Sequence, residues 1–172
     1  MLMPGSKNSR GCTQFVLKSK LGNPTIQIIY FVDKNGNYLN HWGEGEFDRP
    51  HGIRIDDNDD LFLIDDIGHI VQKRSKEGEI IFTIGERGKA AEWQGGDYFN
   101  RPTDVAIDRE TSDIFVSDGY GNSRIHKFDS AGKHIKHFSP LPRSLFTPLS
   151  YCKNNISIII SLLHKISRSI IY

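Results

Sequence analysis

The sequence has few cysteines and no long apolar run, and each absence excludes a class of protein. Its 172 residues include 2 cysteines, Cys12 and Cys152, too few for the disulfide framework of a small secreted domain. No apolar stretch reaches the roughly 20 residues that a membrane-spanning helix needs, so we predict no transmembrane span. The N-terminus lacks the apolar core of a secretory signal peptide, and the sequence alone leaves the compartment unknown.

Acidic residues are absent from both ends of the chain. All 21 Asp and Glu lie between Asp33 and Asp129, where 12 Lys and Arg give a formal charge of −9. Residues 1–32 and 130–172 carry only basic charge, with 4 and 6 Lys and Arg respectively. The acidic middle argues against a nucleic-acid partner, because phosphate binding depends on clustered Lys and Arg.

A motif recurs in the acidic middle after 52 residues, where residues 47–56 (FDRPHGIRID) match residues 99–108 (FNRPTDVAID). Each copy leads through an Asp-rich hairpin into a second apolar run, at 61–64 and 114–116. A fixed period of this length is typical of repeat proteins whose units cannot bury their apolar faces alone. The pattern predicts an all-β fold, a partial β-propeller of about two and a half four-stranded blades.

The repeat limits define three segments of the chain. Residues 28–138 are predicted to form the blades, and residues 1–27 an irregular N-terminal flank. Residues 139–172 form a basic tail with 7 Ile, 7 Ser and no glycine, and the repeat stops there. A basic amphipathic membrane anchor is one interpretation of this tail. The interpretation that we favour is unrelated or aberrant sequence in place of further blades, so that the chain is truncated.

Four segments carry a resemblance to a known family: residues 42–52 (WGEGEFDRPHG), Asp65-Asp66 with His69, residues 99–108, and residues 117–125 (SDGYGNSRI). They resemble NHL-repeat propellers, and in particular the peptidyl-α-hydroxyglycine α-amidating lyases (peptidylamidoglycolate lyases) and their bacterial relatives. The resemblance implies a six-bladed ring and a C–N lyase. Such an enzyme cleaves a peptide with a C-terminal α-hydroxyglycine into a peptide amide and glyoxylate.

The resemblance also implies the residues of a site. His51 matches one of three histidines that bind zinc in the family, and the backbone carbonyl of Ile53 matches a ligand of a structural calcium. Tyr120 matches the proposed general base. The other two zinc histidines belong to blades that would follow Phe138, where the sequence is unrelated, so the resemblance implies a lyase-like chain that is inactive alone. A cysteine pair of the animal members is replaced by Asn100 and Gly121, as in a disulfide-free bacterial type or a divergent animal form.

Other interpretations remain open from the sequence. The chain is alternatively a non-catalytic NHL propeller that binds a protein partner, since propellers host many unrelated functions. His51 would then cap a turn, and Tyr120 would pack over a blade edge. Other histidines are predicted to be solvated strand-end residues rather than ligands, because they show no metal-ligand spacing: His69, His126, His134 and His137.

Overall fold

The fold is known from a computed structural model, which describes residues 14–19, 27–33, 35–93, 95–96 and 98–138. These residues form eleven β-strands and, within those ranges, no helix. The strands are β1 (Gln14–Ser19), β2 (Gln27–Val32), β3 (Tyr38–Trp42), β4 (Pro50–Ile55), β5 (Leu61–Asp65), β6 (Ile70–Arg74), β7 (Ile80–Ile84), β8 (Asp104–Ile107), β9 (Ile114–Asp118), β10 (Arg124–Phe128) and β11 (His134–Phe138).

The strands form three antiparallel sheets in which sequence neighbours pair, as in propeller blades. Blade 1 contains β1–β3, blade 2 contains β4–β7 and blade 3 contains β8–β11. The prediction of an all-β partial propeller is confirmed. One strand was missed, because β1 lies inside the flank predicted to be irregular. Gln14–Ser19 has a short apolar run without a turn signature, and its strand character depends on pairing with β2.

Glycine turns connect the third and fourth strands of blades 2 and 3, and the same turn connects β2 to β3. Gly36, Gly78 and Gly132 have φ values of 86°, 98° and 80°, a region that glycine enters without a Cβ clash. In each turn the glycine N–H donates at 3.0 Å to the carbonyl of the residue three positions earlier. The three glycine turns are therefore equivalent hairpins.

The same hairpins share an irregularity in register. The pairing shifts at Phe31/Val32 in blade 1, at Lys73/Arg74 in blade 2 and at Lys127/Phe128 in blade 3. Such a bulge places one extra residue in the last strand and changes which side chains share a face. The three shifts make the last strands of the blades directly comparable, residue by residue.

Apolar side chains are buried mainly between neighbouring blades, as a propeller requires. One cluster joins blades 2 and 3 and includes Phe62, Ile64, Phe99, Val105 and Phe128. A second joins blades 1 and 2 and includes Ile29, Phe31, Phe47, Leu61 and Leu63. Burying each such side chain contributes about 1.5–3 kcal/mol, so the contacts between blades hold the fold together.

The first strands of blades 2 and 3, β4 and β8, lie next to each other. Because neighbouring strands are antiparallel, the starts of β4 and β8 and the ends of β5 and β9 meet at one end of the blades. Within the described residues there is no helix of the length and hydropathy that crossing a membrane would take. The predictions for residues 139–172 lie outside the described residues.

Candidate functional site

The structure brings His51 and Tyr120 into direct contact at this end of the blades. His51 lies at the start of β4, and Tyr120 follows the end of β9. The Tyr120 hydroxyl is 2.9 Å from His51 Nε2, and the two rings meet edge to face with centroids 5.1 Å apart. Residues 69 positions apart in the chain are therefore neighbours because two blades adjoin.

The protonation of His51 follows from its second contact. Its Nδ1 lies 2.7 Å from the carbonyl oxygen of Thr103, which can only accept, so Nδ1 carries the proton and donates. In the neutral ring Nε2 then bears a lone pair, and the Tyr120 hydroxyl donates to it. Thr103 is the residue of the blade 3 repeat that is equivalent to His51 in blade 2. The contact therefore links the two blades and fixes the His51 ring between them.

Two arginines that the sequence analysis did not assign to the site lie beside Tyr120. Arg101 places its guanidinium over the Tyr120 ring, 4.8 Å from the centroid, a cation–π geometry. Both Arg101 and Arg49 bind the fully buried carboxylate of Asp66, Arg101 at 3.1 Å and Arg49 through Nε at 2.6 Å. Each arginine precedes a proline in the repeated motif, and this recurrence was the signal in the sequence that could have identified them.

The charge on Asp66 is stabilised by these two arginines. Burial raises the pKa of Asp66, but the hydrogen bonds from Arg49 and Arg101 outweigh it and hold the pKa below its usual value. The backbone of Arg101 is held in the left-handed region at φ 63°, as is His69 at φ 57°, and the Arg101 N–H donates to His69 Nδ1 at 3.1 Å. Positive φ at non-glycine residues persists where surrounding contacts impose it, often at functional sites.

The Ile53 carbonyl, expected to bind calcium, already accepts a hydrogen bond from an arginine side chain. Ile53 is buried, and its carbonyl accepts a hydrogen bond from Arg54 Nη1 at 2.8 Å. Arg54 also pairs with Asp104 at 2.7 Å, whose pKa is raised by burial against the opposing effect of Arg54. A calcium ion at this carbonyl would lie next to the guanidinium, and like-charge repulsion disfavours it. These residues do not fit calcium.

His51 offers a suitable nitrogen to zinc, but the described residues provide few further ligands beside it. Thr103 orients the ring as a second-shell carbonyl orients metal-binding histidines. Within the described part of the chain, however, His51 belongs to no group of three His, Cys, Asp or Glu side chains with converging ligand atoms. The described residues therefore supply one ligand to such a site.

The positions of the family's cysteine pair are adjacent in the structure. Gly121 donates its N–H to the Asn100 carbonyl at 2.8 Å, and a Cβ at Gly121 would lie 2.3 Å from Asn100 Cγ. Glycine is needed here because the Asn100 side chain fills the space. Two cysteines at these positions would be close together.

One prediction about the remaining histidines is wrong. His126 was predicted to be solvated, but it is fully buried, and burial lowers the pKa of its imidazole. Together with His134 and His137 it forms a group whose ring nitrogens lie within 4.8 Å of one another. Sequence reasoning missed this group because its members lie on two strands, where cross-strand pairing rather than linear spacing brings them together.

Comparisons with known proteins agree with the fold. The NHL repeat family model matches residues 99–128. The chain is 40% identical over 113 residues to a probable peptidyl-alpha-hydroxyglycine alpha-amidating lyase of Caenorhabditis elegans, covering 65% of this chain and 31% of the relative. It is 35% identical over 150 residues to a peptidyl-glycine alpha-amidating monooxygenase of Mus musculus, covering 80% of this chain and 15% of the relative.

The chain is a partial β-propeller with an NHL repeat at residues 99–128, and it resembles the amidating lyases. A virginiamycin B lyase from Staphylococcus aureus has the same fold, with a TM-score of 0.50 at 16% identity over 77% of this chain and 39% of the other. A protein of unknown function from Bacteroides caccae gives 0.51 at 10% identity, covering 74% and 42%. The chain spans about a third or less of the length of these curated relatives.

Proposed function

We propose that the blades of this chain contribute to a zinc-dependent lyase of the peptidylamidoglycolate type. The observation that carries the proposal is the contact of the Tyr120 hydroxyl with His51 Nε2 at 2.9 Å. Tyr120 is 42% exposed, so a substrate can reach its hydroxyl. The substrate is a peptide that ends in α-hydroxyglycine, and the products are a peptide amide and glyoxylate.

Tyr120 acts as the general base. In its phenolate form, reached when the hydroxyl proton directed at His51 Nε2 is released to solvent, its oxygen takes the proton of the substrate hydroxyl, the carbonyl of glyoxylate forms as the C–N bond breaks, and the amide nitrogen receives a proton. Arg101, stacked on the Tyr120 ring, stabilises the phenolate before it accepts this proton. Without zinc, His51 holds the phenol in place through the bond to its hydroxyl.

Arg49 and Arg101 bind the carboxylate of the substrate. Each guanidinium has five N–H donors, and the contacts to Asp66 use two from Arg49 and one from Arg101. The side chains are 47% and 37% exposed, so free donors remain accessible. Asp66 fixes both guanidinium groups near Tyr120, which preorganises them for a planar carboxylate.

His51 Nε2 is the nitrogen that this chain offers to zinc, and a bound zinc would take the place of the hydrogen bond from Tyr120. When bound, zinc would polarise the substrate hydroxyl and lower its pKa. A catalytic zinc usually has three protein ligands, whereas the described residues offer one. We therefore expect tight zinc binding at His51 and lyase turnover only together with further ligands, and the chain by itself to be inactive.

A chimera tests the proposal. The matching segment of the Caenorhabditis elegans relative is replaced by residues 28–138 of this chain, and glyoxylate release from an α-hydroxyglycine peptide is measured. We expect activity that falls about 10²–10⁴-fold in Tyr120→Phe, the usual contribution of a general base, and a similar loss in His51→Ala. Tyr98→Phe, an exposed tyrosine in the preceding loop, is the matched control and should keep full activity.

Two results would overturn the proposal. Full activity of the Tyr120→Phe chimera would refute the base assignment. A folded chimera without activity would favour the alternative, a non-catalytic NHL propeller that binds a protein partner. Circular dichroism and gel filtration of each variant separate loss of folding from loss of chemistry.

A further inference from the structure

Three equivalent positions in the last two strands of each blade can be compared directly. Blade 1 has Tyr30, Tyr38 and His41 there, and blade 2 has Gln72, Ile80 and Thr83. In blade 3 all three positions are histidine, namely His126, His134 and His137. Since the other blades form the same strands without this set, the fold does not require three histidines.

The bulge in the last hairpin puts the three rings on one face. His126 is directly opposite His137, and Phe128 is opposite His134, with a register shift between the two pairs. Residues three apart on a regular strand point to opposite faces, but the extra residue at the bulge returns His134 to the face of His137. The rings of His134 and His137 are stacked at 22° with centroids 6.1 Å apart.

The distances between the ring nitrogens suit a shared ion. His126 Nδ1 is 3.2 Å from His134 Nε2, and one nitrogen from each of the three rings lies within 4.8 Å of the others. Two nitrogens bound to one tetrahedral zinc at about 2.0–2.1 Å are separated by about 3.3 Å. Small movements of the His137 side chain, which is exposed, would complete the set.

A carboxylate lies behind His126 where metal-binding histidines usually have one. His126 Nε2 is buried without a hydrogen-bond partner among the described residues, and the nearest charged oxygen is Asp118 Oδ2 at 3.9 Å. That carboxylate is fixed by Asn122 at 2.6 Å and Arg124 at 3.2 Å. A histidine that binds a metal through one nitrogen commonly directs its other N–H toward a carboxylate.

We propose that His126 Nδ1, His134 Nε2 and one ring nitrogen of His137 bind a divalent transition-metal ion of the zinc class. Imidazole ligands suit zinc, copper and nickel rather than calcium or magnesium. Burial decreases from His126 through His134 to the exposed His137, so the ion enters from solvent and keeps a position open to water. This site lies on the outer strands of blade 3 and shares no residue with the contact of His51 and Tyr120.

The competing explanation is aromatic packing. His126 contacts Phe99 edge to face at 5.3 Å and stacks on Phe128 at 5.8 Å, so the rings also fill space between blades 2 and 3. Without a metal, the nitrogen pair at 3.2 Å is a hydrogen bond between the rings of His126 and His134. The two explanations differ in whether zinc binds, which can be measured.

The decisive variant introduces the equivalent residues of blade 2 into blade 3. In His126→Gln/His137→Thr, blade 3 acquires the amide and hydroxyl that bond at 3.2 Å as Gln72 and Thr83 in blade 2. The full chain and the variant are titrated with zinc against a chromophoric chelator. We expect the full chain to bind one zinc that the variant loses, while His51→Ala and His41→Thr retain it.

A second readout identifies the ligand atoms. Long-range ¹H–¹⁵N spectra of the zinc-loaded chain should show His126 bound through Nδ1 and protonated at Nε2, a tautomer that packing alone would not fix. Zinc uptake unchanged by His126→Gln/His137→Thr in a folded variant would overturn the proposal, as would no uptake by the full chain. Loss of the zinc in His51→Ala alone would instead assign it to the lyase-type site.

Discussion

Asp66→Asn tests the electrostatic centre of the candidate site. The Asp66 side chain is fully buried and accepts hydrogen bonds from both Arg49 and Arg101. The amide has the same size as the carboxylate but no charge, and one of its two oxygen positions becomes a nitrogen donor. Two guanidinium groups then share one neutral acceptor, and their mutual repulsion is no longer compensated.

The expected cost follows from these contacts. Hydrogen bonds to charged groups contribute about 1.5–3 kcal/mol each, and breaking a fully buried ion pair costs about 3–5 kcal/mol. Both arginines are partly exposed, at 47% and 37%, so water can replace part of what they lose. We therefore expect Asp66→Asn to lower the free energy of unfolding by about 2–3 kcal/mol at pH 7, below the fully buried range.

The measurement is urea unfolding followed by circular dichroism at several pH values. Because the pKa of Asp66 is lowered in the folded protein, its charge stabilises the fold above the unfolded pKa of about 3.9. That contribution is lost as the pH falls through the lower folded pKa. The gap between wild type and Asp66→Asn should therefore narrow below about pH 4.

The matched control is Asp57→Asn, an exposed acid on the β4–β5 hairpin that lies 3.9 Å from Arg109. Exposed pairs contribute about 0–1 kcal/mol, so this variant should unfold like wild type. A difference below about 0.5 kcal/mol for Asp66→Asn at pH 7, the range of ordinary surface substitutions, would refute the reasoning. A gap that is equally large at low pH would do the same.

Two further predictions concern the turns and the expected calcium. Gly78→Ala should lower the free energy of unfolding by more than about 1 kcal/mol, because φ is 98° and the new Cβ would lie 2.9 Å from Trp42. In the same denaturation assay Gly88→Ala should cost less, because its new Cβ meets no atom within 4 Å. Millimolar calcium should leave the melting temperature of the full chain unchanged, since Arg54 already engages the Ile53 carbonyl, and a rise with calcium would contradict that interpretation.

Most of the fold could be predicted because its signals are local and repeated. The runs of mainly apolar residues at 53–55, 61–64, 105–107 and 114–116 correspond to β4, β5, β8 and β9. Gly36, Gly78 and Gly132 are further local signals, since the positive φ that these hairpin turns need has a strong residue preference. β1 was missed because a single short apolar run specifies no pairing partner, and its strand character arises only against β2.

The site was harder to predict because it depends on contacts between blades. Motif resemblance selected His51 and Tyr120, and the structure places their side chains in contact. Arg49 and Arg101 were not selected, because nothing in the sequence states that two arginines separated by 52 residues share the carboxylate of Asp66. Such convergence is a property of blade packing.

Positions that differ between blades are the ones available for binding or catalysis in this repeat protein. Asp65 and Asp118 are equivalent and buried, and each accepts backbone N–H groups from the segment before the first strand of its blade. Repetition of this kind is explained by folding, because every blade needs the same loop anchor. The counterpart of His51 is Thr103, which contributes a backbone carbonyl.

The loop that carries Tyr120 shows the same principle. Asp118 pairs with Arg124 across this loop, whereas Asp65 pairs with Ile70, so the loop of blade 3 is one residue longer than that of blade 2. The extra residue and the tyrosine add nothing to the pairing of β9 with β10, which blade 2 achieves without them. A feature that the repeat does not need for folding can serve binding or catalysis. Two such features are the contact of His51 with Tyr120 and the three histidines of blade 3.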